Sequence, residues 1–229
     1  MKAKSFKRFK LFDAVDLQTE TIDGERHYVI APDKKYKSVT SVLSQLTKQH
    51  INEWRKKVGE EEANKITTSA SNRGTKLHTF CEHYLNEDAK FIEQISTEAV
   101  TDPFSQSAKT IELFNSIKHV VDEGIEIIYD QEFALYSDVL KTAGRCDLFC
   151  SFNGFNTVLD FKTSSKPKKE EWIENYFIQC TAYAMMIGER YNINVPRIAV
   201  LIAVENEPYQ LFFKSTQRYK DRVLEVFCG

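Results

Sequence analysis

The stretch GRCDLFCSFNGFNTVLDFKT, residues 144–163, consists of two apolar runs separated by Asn153-Gly154. An Asn-Gly pair between alternating runs predicts a two-residue type I′ turn, because both central residues of that turn need a positive φ. The two runs are therefore expected to form an antiparallel hairpin in which Phe152 faces Phe155. This hairpin indicates that the second half of the chain is built around a sheet.

The register of the hairpin decides where its charges lie. Continued along both strands, the pairing places Asp147 opposite Asp160 and Arg145 opposite Lys162 on one face. The other face is expected to carry Cys146, Leu148, Leu159 and Phe161. Directly opposed like charges destabilise a sheet, so the pattern predicts a divalent cation between the carboxylates, with magnesium or manganese favoured by oxygen ligands. A longer loop remains an open alternative, because it would shift the register and leave both aspartates in solvent.

Composition restricts the class of protein. A chain of 229 residues with 42% hydrophobic and 28% charged residues suits a globular domain with a substantial core. The net charge of −2 means that a nucleic-acid partner would have to be held by local basic patches. No apolar run approaches the roughly 18 residues of a membrane helix, so no membrane partner is expected. Five cysteines and no secretory signal indicate a reduced, intracellular setting.

The first ten residues, MKAKSFKRFK, hold five bases and no acid. We interpret them as a solvated start and not as a targeting segment, because no apolar signal core follows and acids appear by Asp13. Mitochondrial targeting is therefore not supported. The expected location is the cytoplasm of a bacterial or phage-infected cell.

Hydrophobic periodicity divides the chain near residue 124. Residues 1–123 are predicted to hold short strands and then helices at SVTSVLSQL, INEWRKKVGEEEANKI, RGTKLHTFCEHYL and about residues 105–122. Residues 124–229 are predicted to form the strand IEIIYDQEFALY, the hairpin, the helix EEWIENYFIQCTAYAMMIGERYN and the buried strand RIAVLIAV. This order predicts an α/β fold in which helices flank a mixed sheet.

Five features in one order resemble the PD-(D/E)xK nuclease superfamily and, within it, the RecB-type subgroup. The segment Asp160-Phe161-Lys162 resembles the Asp-x-Lys signature, and Gly144-Arg145-Cys146-Asp147 resembles Gly-x-x-Asp. The other features are Gln179-Cys-Thr-Ala-Tyr183, Glu132 in the preceding strand and His78 on an upstream helix. Over about residues 37–205 the chain is most similar to mitochondrial genome maintenance exonucleases and phage exonucleases.

The resemblance implies a restriction-endonuclease-like core in residues 124–229 and a helical clamp or arch in residues 1–123. It implies one or two Mg²⁺ or Mn²⁺ ions held by His78, Asp147, Asp160 and the backbone carbonyl of Phe161. The implied catalytic residues are Lys162, Glu132, Gln179 and Tyr183. In the iron–sulfur branch of the subgroup three cysteines follow the Gln-x-x-x-Tyr helix, whereas here only Cys228 does, so no iron–sulfur cluster is expected.

Basic, polar and aromatic residues near these motifs are candidate DNA contacts. They are Arg73, Lys76, Arg145, Thr163, Ser164, Lys166, Lys168, Trp54 and Arg55. Each site residue also has a plainer interpretation, since charge runs are commonly solvated, a lone histidine is commonly structural, and Gln179 and Tyr183 lie on an otherwise apolar packing helix.

The expected function is a metal-dependent deoxyribonuclease, most simply a single-stranded DNA exonuclease in replication, recombination or repair. Two alternatives remain: a structure-selective endonuclease of the same fold, and a catalytically silent nuclease fold that acts as a docking module. The sequence does not identify replication or recombination proteins as partners.

Overall fold

The computed structural model describes residues 4–229, and the first three residues of the basic segment lie outside it. Within the described range, nine strands form one mixed sheet and six α-helices surround it. The strands are β1 (Lys7–Arg8), β2 (Thr19–Ile22), β3 (Glu25–Ala31), β4 (Lys34–Ser38), β5 (Ile125–Ser137), β6 (Thr142–Phe152), β7 (Phe155–Ser164), β8 (Arg197–Val204) and β9 (Gln210–Ser215). The helices are α1 (Val39–Val58), α2 (Glu60–Leu85), α3 (Ala89–Thr101), α4 (Gln106–Gly124), α5 (Glu174–Tyr191) and α6 (Thr216–Cys228). None of the described helices is both long and apolar enough to cross a bilayer.

The sheet is mixed, as predicted. Its main path runs β2-β3-β4-β6-β7-β8-β9, while β5 pairs with β6 and β1 pairs with β5. Strand β8 runs parallel to β7, and α5 provides the crossover between them. Strands from residues before position 123 therefore belong to the same sheet as those from residues after it.

The predicted turn and the first five pairs of the hairpin are confirmed. Asn153 and Gly154 have φ values of 46° and 77°, and Phe152 pairs with Phe155. The ladder continues in the predicted register as far as Leu148 opposite Leu159.

Beyond that pair the strands separate, and the expected direct opposition of Asp147 with Asp160 is absent from the ladder. The same edge of β6 pairs with β7 at residues 148–152 and with β4 at residues 142–143. Residues 144–147 lie in the fork between the two partners. Here Asp147 Oδ2 accepts a hydrogen bond from the Phe161 amide N–H at 2.9 Å, so a side chain replaces the backbone partner. The expected pairing of Arg145 with Lys162 is likewise not formed.

Apolar side chains fill both faces of the sheet, which gives three layers. One face carries Phe149 and Val158 and packs against α1, α5 and α6. The opposite face carries Leu148, Leu159 and Phe161 and packs mainly against α2 and α4. Cys146 was expected on the same face as Leu148, which is wrong, because it packs in the cluster with Phe149. The alternation of side chains therefore breaks between residues 146 and 148, at the fork.

The helical half differs from the predicted pattern in its boundaries. The helix predicted across residues 51–66 is interrupted at Gly59, which has a φ of 90° and donates its N–H to the Arg55 carbonyl at 2.9 Å. Two long helices, α1 and α2, therefore replace three shorter predicted ones. The periodicity did not indicate α3, β9 or α6.

Gly144 permits close contact between β6 and α5. A Cβ at this position would lie 2.6 Å from Tyr183 Oη and 2.7 Å from its Cε1. Both residues are buried, so neither can move into solvent. The glycine of the Gly-x-x-Asp segment is thus required by packing against the tyrosine of the Gln-x-x-x-Tyr segment.

We expect Gly144→Ala to lower the free energy of unfolding by about 1–3 kcal/mol, because the added methyl group overpacks this contact. The control is Gly74→Ala in α2, where the nearest atom to the new Cβ, Thr163 Oγ1, is 3.9 Å away. That helical substitution should stabilise by roughly 0.5–1 kcal/mol. Urea unfolding followed by circular dichroism measures both, and equal midpoints for the two variants would contradict the packing argument.

Candidate active site

Three potential metal ligands converge at the fork from three different elements. His78 comes from α2, Glu132 from β5 and Asp147 from β6, and one ligand atom of each lies within 4.8 Å of the others. His78 Nδ1 is 3.4 Å from Asp147 Oδ2 and 4.0 Å from Glu132 Oε1. A cavity of 420 Å³ opens beside His78 and Glu132 and is also lined by Gly74 and Thr75. Solvent and a substrate group can therefore reach the cluster.

Glu132 reaches this cluster from an unusual backbone conformation. Its φ is 48°, a left-handed value in the middle of a long strand. The Arg145 guanidinium donates a hydrogen bond to the Glu132 carbonyl oxygen and holds this local irregularity in place. Residues two apart in a regular strand point to the same face of the sheet. Here Leu148, the partner of Gln131, and Cys146, the partner of Phe133, lie on opposite faces. The irregularity at Glu132, between these two pairs, accounts for that change of face. A left-handed non-glycine residue costs on the order of 1–3 kcal/mol, a strain that clusters at functional sites.

The cluster is electrostatically unfavourable when only protein groups are present. Burial, followed by the nearby charge of Asp147, raises the pKa of Glu132 to about 7. His78 and Arg145 oppose this shift but do not cancel it. A positive ion placed between the two carboxylates would remove the repulsion.

The donor set fits a divalent cation. Ligands about 2.1 Å from an octahedral ion are about 3.0 Å apart at right angles and about 4.2 Å apart when opposite. The separations of 3.4 and 4.0 Å between His78 and the two carboxylates lie within that span. Two carboxylates and one imidazole are compatible with Mn²⁺ or Mg²⁺. The His78, Glu132 and Asp147 cluster could therefore hold a metal ion.

A second charged cluster lies beside the first, on the α5 side of the sheet. Asp160 is buried, and its Oδ1 accepts a hydrogen bond from Gln179 Nε2 at 2.9 Å. Its Oδ2 forms an ion pair with the Lys162 ammonium. The geometry of this pair is that of a charge contact and not of a regular hydrogen bond. The ammonium lies 5.1 Å from the ring centroid of Tyr176. Asp160 thus interacts with protein groups through both oxygens.

The charges of this second cluster determine what Lys162 can do. Burial raises the pKa of Asp160 to about 6, with a further contribution from Asp147, while Lys162 acts in the opposite direction. Burial lowers the pKa of Lys162, but the attraction of Asp160 and Asp147 outweighs it and holds that pKa above its ordinary value. Lys162 is therefore a protonated ammonium in this arrangement. In this form it can donate hydrogen bonds and stabilise negative charge.

The expected metal ligands divide between the two clusters. His78 and Asp147 lie together, and Glu132, expected as a catalytic residue, offers a third ligand atom. Asp160 does not belong to that group, within the residues described, and interacts with Gln179 and Lys162. Phe161 was expected to contribute its backbone carbonyl, but the group that contacts Asp147 is its amide N–H. The participation of Asp160 and of the Phe161 carbonyl stays a prediction.

The two residues of the Gln-x-x-x-Tyr segment have different surroundings. Gln179 contacts the charged cluster directly through Asp160. Tyr183 packs against Gly144, three residues before Asp147 in β6. Burial raises the pKa of the Tyr183 phenol well above its ordinary value. Its position indicates that it supports β6 next to the site.

Several candidate DNA contacts already have protein partners. Arg73 Nη1 lies 3.3 Å from Glu205 Oε1. Ser164 donates its hydroxyl to the Lys166 carbonyl at 2.6 Å, and the amide of Gln210 bonds the backbone N–H and C=O of Lys168 at 2.7 and 2.9 Å. These contacts shape the segment that follows β7. Lys166 itself is exposed, and Thr163 is partly exposed.

The remaining candidates lie along the first two helices. Arg55 pairs with Glu60 and also bonds Asn64, so it connects the end of α1 to the start of α2. Asn64 precedes His78 by fourteen residues of continuous helix, about 21 Å along the axis. Trp54 is partly buried next to Arg55, whereas Lys76 is exposed near the site end of α2. Lys76 therefore lies two residues before His78 on α2, whereas Trp54 and Arg55 lie at the distant end of the helix pair.

Comparisons with known proteins add little to this geometry. No protein-family model and no curated protein sequence matches the chain. Among solved structures, the chain is similar to the crystal structure of a "Putative exonuclease" from Eubacterium rectale. The two are 11% identical with a TM-score of 0.41, over 70% of this chain and 68% of that chain. A likeness of this extent does not assign an activity.

We expect the metal-free protein to lose stability as the pH rises from about 4.5 to about 7. The Glu132 carboxyl has a folded-state pKa of about 7 against an ordinary 4.5, so the folded state holds a proton that the unfolded chain has released. This contribution to stability is complete at low pH and is lost with rising pH, by up to about 3 kcal/mol. Urea unfolding with a chelator present, at pH 5 and pH 7.5, measures the effect.

Glu132→Gln cannot titrate and should show a flatter pH dependence than the parent protein. The same change at the exposed Glu112 on α4 controls for the loss of a surface carboxylate. Identical pH slopes in the parent protein and Glu132→Gln would mean that Glu132 is not held at a raised pKa.

Proposed function

We propose that the protein is a metal-dependent nuclease of the PD-(D/E)xK type that hydrolyses DNA phosphodiester bonds, acting as an exonuclease on single strands. The observation that carries this proposal is the convergence of His78, Glu132 and Asp147 within 4.8 Å, beside a lysine that pairs with Asp160. Carboxylates next to a protonated ammonium suit a reaction in which negative charge develops on a phosphate.

In this proposal His78 and Asp147 hold Mg²⁺ or Mn²⁺, with Glu132 in reach of the same ion. When bound, such an ion lowers the pKa of a coordinated water and stabilises the charge of an in-line displacement at phosphorus. The Phe161 N–H keeps one oxygen of Asp147 fixed, so that the carboxylate is oriented before any ligand arrives. The chain thus supplies a preorganised anionic site.

Lys162 is proposed to donate hydrogen bonds to a phosphate oxygen or to the attacking water. The attraction of Asp160 and Asp147 raises the pKa of Lys162 above its ordinary value, which supports this role as a hydrogen-bond donor. Gln179 holds the second oxygen of Asp160, and Tyr183 supports β6 through Gly144. The roles proposed for Gln179 and Tyr183 are therefore positional.

The proposed path of the DNA follows α2. A groove of 690 Å³ on this helix is lined by Glu61, Asn64, Lys65, Thr68, Ser69, Asn72, Lys76 and, at the start of α4, Gln106. Within it Glu61 pairs with Lys65 at 2.9 Å, so Lys76 is the lysine without that partner. Thr75 lines the cavity beside the metal cluster, and the adjacent Lys76 lines the groove. Hydroxyl, amide and ammonium groups suit contacts to a phosphate backbone.

Helices α1 and α2 would then form the proposed arch. The second half of α1 and the first half of α2 are largely exposed, so this pair extends beyond the three packed layers. A flexible single strand can follow such a bent path at lower cost than a stiff duplex.

The first test of function separates metal binding from chemistry. The parent protein is expected to bind Mn²⁺ in calorimetry and to degrade linear single-stranded DNA. Asp147→Asn should lose both properties, whereas Lys162→Ala should keep Mn²⁺ binding and lose cleavage by at least about 100-fold, the typical cost of removing a charge-stabilising donor. Absence of Mn²⁺ binding by the parent protein would contradict the proposal.

Substrate topology in the same assay discriminates among the candidate functions. An exonuclease degrades end-labelled linear strands and spares circular ones, whereas an endonuclease cuts both. A docking module binds DNA and cuts neither, in which case the catalytic assignment is wrong.

We expect Lys76→Ala and Lys166→Ala each to weaken the binding of single-stranded DNA and to reduce the slope of log affinity against log salt by about 0.7, because each removes one phosphate contact. Fluorescence anisotropy with a labelled oligonucleotide at several salt concentrations, in the presence of chelator, measures both quantities. Lys220→Ala on α6, which packs on the opposite face of the sheet, is the control and should leave the slope unchanged.

A further inference from the structure

We infer that Tyr176 is a positioning residue for Lys162, and that its ring keeps the ammonium directed toward the metal cluster. Tyr176 lies on α5 and is not part of any of the nuclease motifs. The catalytic consequence of this inference rests on the proposed function, whereas the contact itself does not.

The lysine ammonium lies between two groups of different kinds. Asp160 Oδ2 pairs with it from within β7, and the Tyr176 ring faces it with 5.1 Å between the nitrogen and the ring centroid. A cation within about 6 Å of a ring centroid is attracted to the negative face of the ring, and the attraction grows when water is excluded. The Lys162 side chain is only 19% exposed, so this contact is largely shielded from solvent.

One face of α5 provides the support for the whole charged pair. Tyr176 and Gln179 are three residues apart and therefore adjacent on the helix surface. Gln179 fixes Asp160 through its Oδ1, while Tyr176 contacts the ammonium that Asp160 holds through its Oδ2. The helix thus sets the positions of both the anion and the cation.

A lysine without such support has little positional precision. Its side chain has four carbons and free rotation, and an ion pair with one carboxylate leaves the ammonium several orientations. With the carboxylate on one side and the aromatic ring on another, the directions left to its N–H groups are restricted. The restricted ammonium would reach a bound phosphate oxygen or water at a lower entropic cost.

A purely structural role for Tyr176 makes a different prediction. In that case an apolar side chain of similar volume would serve nearly as well, and any loss would appear in stability and would not depend on Lys162. The aromatic ring and the lysine must therefore be tested together.

The first readout needs no enzymatic activity. Lys162 in the metal-free protein is acetylated with acetic anhydride, and the rate is followed by mass spectrometry of the peptide that contains it. Tyr176→Leu and Tyr176→Met should raise the rate about 2- to 30-fold, and Tyr176→Phe should leave it unchanged because the ring remains. Tyr209→Leu, which removes a partly buried tyrosine that contacts His119, is the matched control.

The second readout is a double-mutant cycle on cleavage of single-stranded DNA. Tyr176→Leu should lower kcat about 2- to 30-fold in the parent protein, with Mn²⁺ affinity unchanged and with activity retained in Tyr176→Phe. In a Lys162→Met background the same change should cause no further loss, because the group that it positions is absent. If Tyr176→Leu does not fold, Tyr176→Met carries both measurements.

The outcomes separate this inference from the proposed function. A parent protein that cuts DNA while neither the acetylation rate nor kcat responds to loss of the ring overturns the role of Tyr176 and leaves the nuclease intact. An inactive parent protein in which acetylation of Lys162 still responds supports the contact and overturns the nuclease. Equal effects of Tyr176→Leu on kcat with and without Lys162 would show a role in packing only.

Discussion

The hydrogen bond from the Phe161 amide to Asp147 Oδ2 is the interaction on which the site depends. It forms where β6 and β7 cease to pair, so a side-chain oxygen satisfies a backbone donor that the ladder has released. The same contact orients the carboxylate toward His78. The separation of the strands therefore creates both the opening in the sheet and the oriented acid within it, and a fully paired hairpin would offer neither.

The two charged clusters at the fork differ in how far protein groups compensate their charges. Asp160 is held by Gln179 and Lys162, which makes the second cluster largely self-contained. At the other cluster, burial and the nearby charge of Asp147 raise the pKa of Glu132, and His78 and Arg145 offset this only in part. Such an arrangement is unfavourable without a ligand and favourable with a cation, which is typical of a binding site. The repulsion lowers the stability of the metal-free fold, and its relief by a cation would increase the affinity for that cation.

The site draws residues from both layers of helices. His78 reaches the fork from α2, which covers one face of the sheet, whereas Gln179 and Tyr176 come from α5 on the other face. Side chains from opposite faces can meet only where the sheet is open, and the fork at residues 144–147 provides that opening. Gly144 brings α5 close to β6 at this place because no side chain separates Tyr183 from the strand.

Local patterns in the sequence determined the Asn153-Gly154 turn, the register of its first five pairs, the mixed sheet and the crossover helix, because turn chemistry and periodicity act over a few residues. The resemblance to a nuclease family predicted His78 and Asp147 as metal ligands together with Asp160, and Glu132 as a catalytic residue. Only the tertiary structure decided that the two aspartates are not opposed, that Glu132 adopts a left-handed conformation and that Tyr176 faces Lys162. Each of these depends on partners distant in the chain: β4 and β7 compete for one edge of β6, and α5 crosses back over the sheet. No short pattern of residue types encodes that competition.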